Sequence, residues 1–156
     1  MDVVPPRTLD GGPVSSTEVR ASLQRGDVER AARFLGRPYG VCGEVVPGAK
    51  RGRTLGFPTA NVKTERPLLV PGGVYACRAE VGGVEHPAVA NIGTRPTFEN
   101  QDFAVEVYLI DFSGDLYGRR LCLAFHRMLR EERRFAGVDA LKEQIARDVA
   151  LARSCL

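Results

Sequence analysis

The residue types best suited to chemistry occur in one stretch, where three glycines recur every four residues among cationic side chains. Gly48, Gly52 and Gly56, together with Lys50 and Arg53, would let backbone amides and positive charge approach phosphate groups. The stretch lacks the Gly-Lys-Ser/Thr ending of the common phosphate loop, and the chain has no Gly-x-Gly-x-x-Gly. Composition alone leaves a phosphate-binding loop and a solvated hairpin loop equally open.

A short polar pattern follows this loop. Pro58 fixes a backbone angle and lacks an amide donor. Thr59 and Asn61 are two residues apart, so in an extended chain they share a face. Their hydroxyl and amide oxygens suit a hard cation such as Mg²⁺, whose shell phosphates and waters would complete. The alternative, that both side chains bond the local backbone of a turn, also remains open.

Glu106 is the one charged residue in an alternating run from 103 to 110. The alternation places Phe103, Val105, Val107 and Leu109 on one face and Ala104, Glu106, Tyr108 and Ile110 on the other. A carboxylate in mid-strand either faces solvent, which is commoner, or serves a site. In a site it can act as a general base toward a substrate hydroxyl.

Two later segments can contribute to ligand pockets. Residues 91–98 read as a Gly/Pro turn or as a wall of a nucleotide pocket, with Phe98 supplying apolar area. Residues 127–135 read as a solvated connection or as a cover for a flat aromatic ligand, to which Phe135 would contribute.

Six short runs rich in Val, Tyr, Phe and Ile would position these residues. They predict strands near 40–46, 59–63, 74–81, 86–92, 103–110 and 120–127. Gly82-Gly83 indicates a hairpin between the third and fourth strands. No helical pattern separates the strands, which favours an antiparallel sheet curled into a barrel rather than a parallel sheet.

Helical patterns flank the strands. After an irregular lead-in over 1–14, Ser15 and Glu18 have capping-box spacing for a helix through Gln24. Asp27 can cap a second helix that ends at Gly36. The last 18 residues or so predict a helix capped by Asp139. Its apolar stripe is Leu141, Ile145, Val149 and Ala152, and Lys142, Glu143, Arg147 and Asp148 lie off it.

Composition limits the class of protein. The chain has 156 residues, 44% hydrophobic and 26% charged, with a net charge of +3. The composition is typical of a globular domain, and the small net charge gives no strong field for binding polyanions. The sequence shows no apolar run long enough to span a membrane and no signal-peptide pattern. Cys42, Cys77, Cys122 and Cys155 are widely spaced, which favours reduced, buried thiols in a cytoplasmic protein over a disulfide framework.

Several sequence blocks together resemble riboflavin kinases. They are GRTLGFPTAN at 52–61, GVYA at 73–76, NIGTRPTF at 91–98, VEVY at 105–108 and DLYG at 115–118. Over about residues 37–153 the chain most closely resembles the C-terminal kinase module of bacterial bifunctional riboflavin kinase/FAD synthetase. The resemblance implies a mainly β fold, a six-stranded antiparallel Greek-key barrel with a C-terminal helix. It also implies Mg²⁺-dependent transfer of phosphate from ATP to the ribityl 5'-hydroxyl of riboflavin, giving FMN and ADP.

The resemblance also assigns roles to residues. Glu106 corresponds to the family's catalytic Glu, and Thr59 and Asn61 to its metal and phosphate ligands. ATP is expected to contact Gly48, Lys50, Gly52, Arg53, Gly56, Phe57, Pro58, Thr59, Asn61, Asn91 and Phe98. The flavin is expected to contact Arg127, Met128, Leu129, Arg130, Glu132 and Phe135. Two positions depart from the family's usual pattern: Pro47 replaces a frequent His, and Glu131 replaces a Pro before the last helix.

The N-terminal residues carry a separate resemblance. Residues 15–20 resemble the end of an adenylyltransferase module, so we expect a short helical extension at 1–36 and the kinase domain at 37–156. The only histidines are His86 and His126, which leaves no His-x-x-His element, and we expect no FAD synthesis from this chain. The expected partners are riboflavin/FMN and ATP/ADP, without nucleic acid or membrane, in a monomer or linked to an adenylyltransferase module. A non-catalytic flavin-binding barrel is the alternative, and a single-stranded nucleic-acid binder is disfavoured because aromatic residues are only 7%.

Overall fold

A computed structural model of the chain describes residues 8–9, 11–48, 51–96 and 101–156. Its elements in chain order are β1 (Thr8–Leu9), β2 (Gly12–Pro13), α1 (Ser16–Gln24), α2 (Val28–Leu35), β3 (Tyr39–Val46), α3 (Arg51–Thr54), β4 (Ala60–Thr64), β5 (Gly73–Val81), β6 (Val84–Pro96), β7 (Gln101–Leu109), β8 (Arg120–Arg130) and α4 (Val138–Cys155).

Strands β3 to β8 form a closed antiparallel barrel in the order β3-β4-β7-β6-β5-β8. Within it, β8-β5-β6-β7 has the spatial order of a Greek key. Each predicted strand corresponds to one barrel strand, so the predicted fold class is confirmed. The β6 and β7 strands run further than expected, because their pairing continues to Pro96 and Gln101. At the β5–β6 hairpin, Gly82 and Gly83 have φ of 61° and 82°, as a tight turn with two positive φ angles requires.

Alternating side chains fill the barrel. Val105, Val107 and Leu109 of β7 are buried in its interior, as their spacing predicts. Tyr75 and Phe125 are fully buried, with ring centroids 5.3 Å apart in an edge-to-face contact. Interior packing therefore fixes which residues of each strand face outward.

Helices α1 and α2 pack into one end of the barrel. Leu23 and Val28, each 1% exposed, belong to the same apolar cluster as the strand interior. The predicted caps are confirmed: Ser15 Oγ accepts from the Glu18 amide at 3.2 Å, and Asp27 Oδ1 accepts from the Arg30 amide at 3.0 Å. The expected irregular lead-in instead contains the short β1–β2 pair. The α1–α2 hairpin therefore shares the core of the barrel.

Helix α4 packs on the outer face of β5 and β6. Ala152 is fully buried there with Val74 and Val89. One expectation for this helix was wrong. Asp139 lies inside the first turn and is not the cap, because Gly137 holds that position without a side-chain hydrogen bond. Asp148, which lies off the predicted apolar stripe, is 2% exposed and pairs with an arginine of β8.

The preference for four reduced cysteines was also wrong. Cys42 and Cys122 form a disulfide across β3 and β8, with Cα atoms 4.0 Å apart. They are 80 residues apart in sequence, but barrel closure makes them direct cross-strand partners. Cys77 is free and buried, and Cys155 is free and half-buried.

Within the described ranges, no helix combines the length and apolarity that crossing a membrane would require.

Candidate active site

Three polar side chains form a row across neighbouring strands. In the barrel register, Glu106 of β7 lies directly opposite Asn61 of β4 on one side and Asn91 of β6 on the other. Directly opposed residues have Cβ atoms about 5 Å apart. All three are half-buried, whereas the adjacent Ala60 and Val107 face the interior. The row therefore lies on the outer face and combines a carboxylate with two amides.

The glycine-rich loop folds onto Thr59 and Asn61. A Cβ atom on Gly48 would overlap the amide of Asn61. A Cβ on Gly52 would overlap the Phe57 carbonyl oxygen and approach Thr59 Oγ1 to 3.0 Å. These two glycines are therefore needed for close approach, which favours the functional interpretation of the loop over a free solvated hairpin.

Gly56 serves a different purpose in the same loop. Its φ of 84° is left-handed and its side-chain position is open, so it permits the turn that follows α3. The turn is closed by the amide of Phe57, which donates to the Gly52 carbonyl oxygen at 2.9 Å. The Phe57 ring then meets the Tyr108 ring edge-on at 5.4 Å, which ties the loop to the outer face of β7.

A cavity of about 610 Å³ opens beside Thr59, between the glycine-rich loop and the β7–β8 connection. Its polar lining includes Thr59, Arg53 and Asp115, and its apolar lining includes Leu116, Tyr117 and the interior-facing Ala60 and Val107. Asn61, Glu106 and Asn91 do not line this cavity. This volume falls within the range of small-molecule sites. Arg53 and Pro58 are exposed at the cavity, and Thr59 is half-buried.

The β7–β8 connection is a cavity wall to which the sequence analysis assigned no role. Asp115 Oδ1 accepts from the Tyr117 amide at 3.0 Å, and the Gly118 amide donates to the Val45 carbonyl oxygen at 2.9 Å. These bonds hold the connection against β3. The DLYG block at 115–118 could have indicated this turn from the sequence, because Asp and Gly at this spacing are typical of turns.

The predicted flavin-contacting residues divide between two sides of β8. Two register shifts interrupt the β5–β8 pairing near this end of the strand. Met128 packs with the interior cluster, and its Sδ would lie 2.5 Å from a Cβ on Gly26. Leu129 instead packs under α4, and the exposed Arg127 donates to Cys155 Sγ at 3.8 Å. The structure therefore does not bring Met128 to the outer face that carries Glu106.

The residues after β8 approach the row from its β6 side. Glu132 is exposed, and a Cβ on Gly93 would lie 3.1 Å from its Oε1. Gly93 is two residues after Asn91 and so shares its outward face. Phe135 lies against the guanidinium groups of Arg130 and Arg133, 5.5 and 4.9 Å from its ring centroid. Glu132 and Phe135 are therefore outside the barrel, as a ligand cover would be.

Two predicted nucleotide contacts, Lys50 and Phe98, lie outside the described residues.

The residues fit the magnesium ion that the sequence analysis expects. Thr59 offers a hydroxyl oxygen and Asn61 an amide oxygen, both of the hard type that Mg²⁺ binds. The absence of side chains at Gly48 and Gly52 lets the loop backbone pack closely against these two residues. Such a site would leave most of the coordination shell to phosphate oxygens and water.

The fold and the row define a class: a closed six-stranded antiparallel barrel with an external C-terminal helix and a polar site under a glycine-rich loop. Residues 35–156 match the family model described as Flavokinase: Riboflavin kinase. The chain therefore belongs to the riboflavin kinase family.

Curated relatives agree with this assignment. The chain is 50% identical to a bifunctional riboflavin kinase/FMN adenylyltransferase of Pseudomonas fluorescens, over 94% of this chain and 47% of that protein. It is 45% identical to the protein of the same description from Bacillus subtilis, over 86% of this chain and 44% of that protein. The chain thus spans about half the length of the curated relatives it matches.

Solved structures share the architecture. A riboflavin kinase from Trypanosoma brucei is 26% identical, with a TM-score of 0.54 over 75% of this chain and 76% of that one. A Streptococcus pneumoniae structure described as a macrolide-efflux protein is 34% identical, with a TM-score of 0.91 over 96% of this chain and 50% of that one. The second match extends well beyond the barrel strands.

Proposed function

We propose that this chain transfers the γ-phosphoryl group of ATP to the 5'-hydroxyl of riboflavin, giving FMN and ADP. The observation that carries the proposal is the cross-strand row of Asn61, Glu106 and Asn91 beside a glycine-rich loop. In the reaction, a bond forms between the 5'-oxygen and the γ-phosphorus, and the bond from that phosphorus to the β–γ bridging oxygen breaks. The hydroxyl proton passes to Glu106, and ADP leaves with the bridging oxygen.

The nucleotide side of the site is the cavity beside Thr59. Its apolar lining, including Leu116 and Tyr117, suits a nucleoside, and Arg53 adds a positive charge. The glycine-rich loop would bring backbone amides to the polyphosphate. Thr59 and Asn61 would supply protein ligands to Mg²⁺, which neutralises phosphate charge when it is bound.

The acceptor side is the outer face of β6 and β7. Glu106 can accept a proton from a hydroxyl placed within hydrogen-bond reach, and the neighbouring amides of Asn61 and Asn91 can donate to its carboxylate or to the substrate. Glu132 lies further along the same face, beside Gly93. A ribityl chain between Glu132 and Glu106 would present its terminal hydroxyl to the carboxylate.

Phosphoryl transfer needs mainly alignment and charge stabilisation, because little covalent chemistry falls to the protein. A barrel with fixed strand spacing meets the first need, since neighbouring strands hold Glu106 and Asn61 side by side. The cation and the loop amides meet the second.

We also propose that these 156 residues make no FAD. The described ranges form the barrel and the helices packed on it, and these elements are used in the proposed kinase site or in the shared core. Adenylyl transfer would need a separate nucleotide site.

The test is to incubate the chain with riboflavin and Mg–ATP and to separate the flavins by chromatography. FMN that requires ATP supports the kinase. Tight flavin binding without FMN would favour the non-catalytic barrel instead. FAD formation would overturn the claim that this chain lacks adenylyl transfer.

A further inference from the structure

A buried ion pair joins the end of β8 to α4. Arg130 Nε lies 3.2 and 3.0 Å from the two carboxylate oxygens of Asp148, and Nη2 lies 2.9 Å from Oδ2. The Arg130 side chain is 18% exposed and that of Asp148 is 3% exposed. Apolar residues of similar volume often stabilise a protein as well as such a pair does, because burying two charges costs desolvation energy. The pair is therefore a candidate for a role beyond stability.

The pair is connected to the residues that follow β8, which we call segment 131–135. Arg130 Nη1 donates to the Glu131 carbonyl oxygen at 3.1 Å. Gln144 Nε2 donates to Asp148 Oδ1 at 2.8 Å, and Arg133 Nη2 donates to Gln144 Oε1. The segment is thus attached to α4 directly through Arg133, and indirectly through Arg130 at Glu131.

The guanidinium group of Arg130 donates its hydrogen bonds to other groups of the protein. Its Nε and Nη2 contact Asp148, and its Nη1 contacts the backbone of Glu131. Its guanidinium also packs 5.5 Å from the Phe135 ring centroid. The flavin contact expected for Arg130 stays a prediction; within the protein its side chain contacts Asp148, the Glu131 backbone and Phe135.

The attached segment holds Glu132 beside the proposed acceptor site. Glycines at 72 and 93 leave room for its carboxylate, since Cβ atoms there would lie 3.2 and 3.1 Å from its two oxygens. Gly93 shares the outward face of β6 with Asn91, which is the cross-strand partner of Glu106. The position of the segment therefore determines what borders the acceptor side of the row.

We propose that Arg130 and Asp148 are positioning residues that hold segment 131–135 in its riboflavin-binding arrangement, and that Gln144 extends their effect to Arg133. This inference rests on the proposed function, because it assigns the acceptor to the face beside Glu132. The pair acts on riboflavin affinity and leaves ATP binding and the phosphoryl-transfer step unchanged.

The first experiment compares riboflavin dissociation constants, measured without ATP by quenching of flavin fluorescence. Asp148→Asn keeps the shape of the side chain but removes its charge, and Gln144→Ala removes only the bridge to Arg133. If only a tenth of the variant molecules hold segment 131–135 in its riboflavin-binding arrangement, the apparent affinity for riboflavin falls about tenfold. We expect about that loss in Asp148→Asn and a smaller one in Gln144→Ala, with the KM for ATP within about twofold.

Arg153→Ala is the matched control. Arg153 lies on the same helix and binds Asp111 through two 2.7 Å contacts, but this pair is exposed and does not contact segment 131–135. The control should keep the wild-type riboflavin constant. An equal loss of affinity in Arg153→Ala would overturn the proposal.

A double variant separates positioning from stability. Arg130→Met with Asp148→Leu removes the pair without leaving one buried charge alone, so the protein should remain folded. We expect the same loss of riboflavin affinity as in Asp148→Asn. Wild-type affinity in this folded double variant would refute the positioning role.

Limited digestion with trypsin tests the inference independently of catalysis. In the ligand-free protein, cleavage after Arg133 and Arg134 should be at least about tenfold faster in folded Asp148→Asn than in wild type or Arg153→Ala, because the segment detaches from α4 more often and then fits the protease. Unchanged cleavage would refute the inference whatever the wild type catalyses. Failure of the wild type to form FMN would instead refute the proposed function.

Discussion

Replacing Glu106 by glutamine tests the proposed chemistry most directly. Glutamine keeps the size of the side chain and its place between Asn61 and Asn91, but it cannot take the hydroxyl proton. A positioned general base contributes about 10²- to 10⁴-fold in rate, or about 2.7–5.4 kcal/mol of activation free energy. We therefore expect kcat to fall at least about 100-fold.

Binding and stability should change little in Glu106→Gln. The side chain is half-buried on the outer face of β7, and the interior neighbours of Glu106 remain in place. We expect riboflavin affinity within about threefold of wild type, and a change of less than about 0.5 kcal/mol in the free energy of unfolding. Initial rates of FMN formation at saturating substrates, flavin fluorescence and urea titration measure the three quantities.

Two further variants complete the experiment. Glu106→Asp retains a base but withdraws it by about one bond length, and a displacement of about 1 Å can cost 100-fold in rate. Its rate should lie between those of wild type and Glu106→Gln. Glu80→Gln, an exposed carboxylate on β5, should match wild type. Turnover of Glu106→Gln within threefold of wild type would refute the general-base role.

Other predictions concern binding, stability and thiol chemistry. Thr59→Ala should raise the KM for ATP about tenfold and leave riboflavin affinity unchanged, because it removes a proposed Mg²⁺ ligand. If the rate of FMN formation depends on ATP concentration in the same way in Thr59→Ala and in wild type, this prediction is contradicted. Leu23→Ala should reduce the free energy of unfolding in urea by about 2–5 kcal/mol, because the side chain is buried in the barrel core. Burial lowers the pKa of His126, so the unfolded chain binds the proton more readily and stability should fall as pH drops below about 6.5. His126→Gln should flatten that dependence in urea titrations at pH 5.5 to 7.5, and an unchanged slope would exclude the histidine as its source. Without reductant, the denatured chain should show two reactive thiols, since Cys42 and Cys122 are bonded to each other, and finding four would contradict the disulfide.

Local sequence signals predicted most of the fold. Alternation along 103–110 placed Val105 and Val107 inside, because a strand with one buried face has a period of two. Gly82-Gly83 identified a turn whose backbone angles glycine adopts readily. The Ser15 and Asp27 caps were predictable because each bond spans only three residues.

Features that depend on distant residues were missed. The Cys42–Cys122 disulfide depends on the register between β3 and β8, which residue spacing does not reveal. The burial of Asp148 was not predictable from the apolar stripe of its helix, because its partner Arg130 comes from a distant strand. Asp139 resembled a cap because Asp is common there, but the helix begins one residue earlier.

The candidate site was predicted by residue type rather than by arrangement. Thr59, Asn61 and Glu106 have chemistry that suggests a cation and a base, yet each also had an ordinary structural explanation. The pairing of β4, β6 and β7 shows that Asn61 and Asn91 flank the carboxylate. The roles assigned to these residues stay predictions, as do those of Lys50 and Phe98.

The row has a consequence for how such a site can change. Its three members lie side by side on neighbouring hydrogen-bonded strands, so the distance between strands, about 4.8 Å, sets their spacing. A slip of one residue in β7 would turn Glu106 into the apolar interior, so intermediate geometries are not available to gradual adjustment. Libraries that seek a different acceptor alcohol should therefore vary the connections around the barrel and leave the three strands untouched.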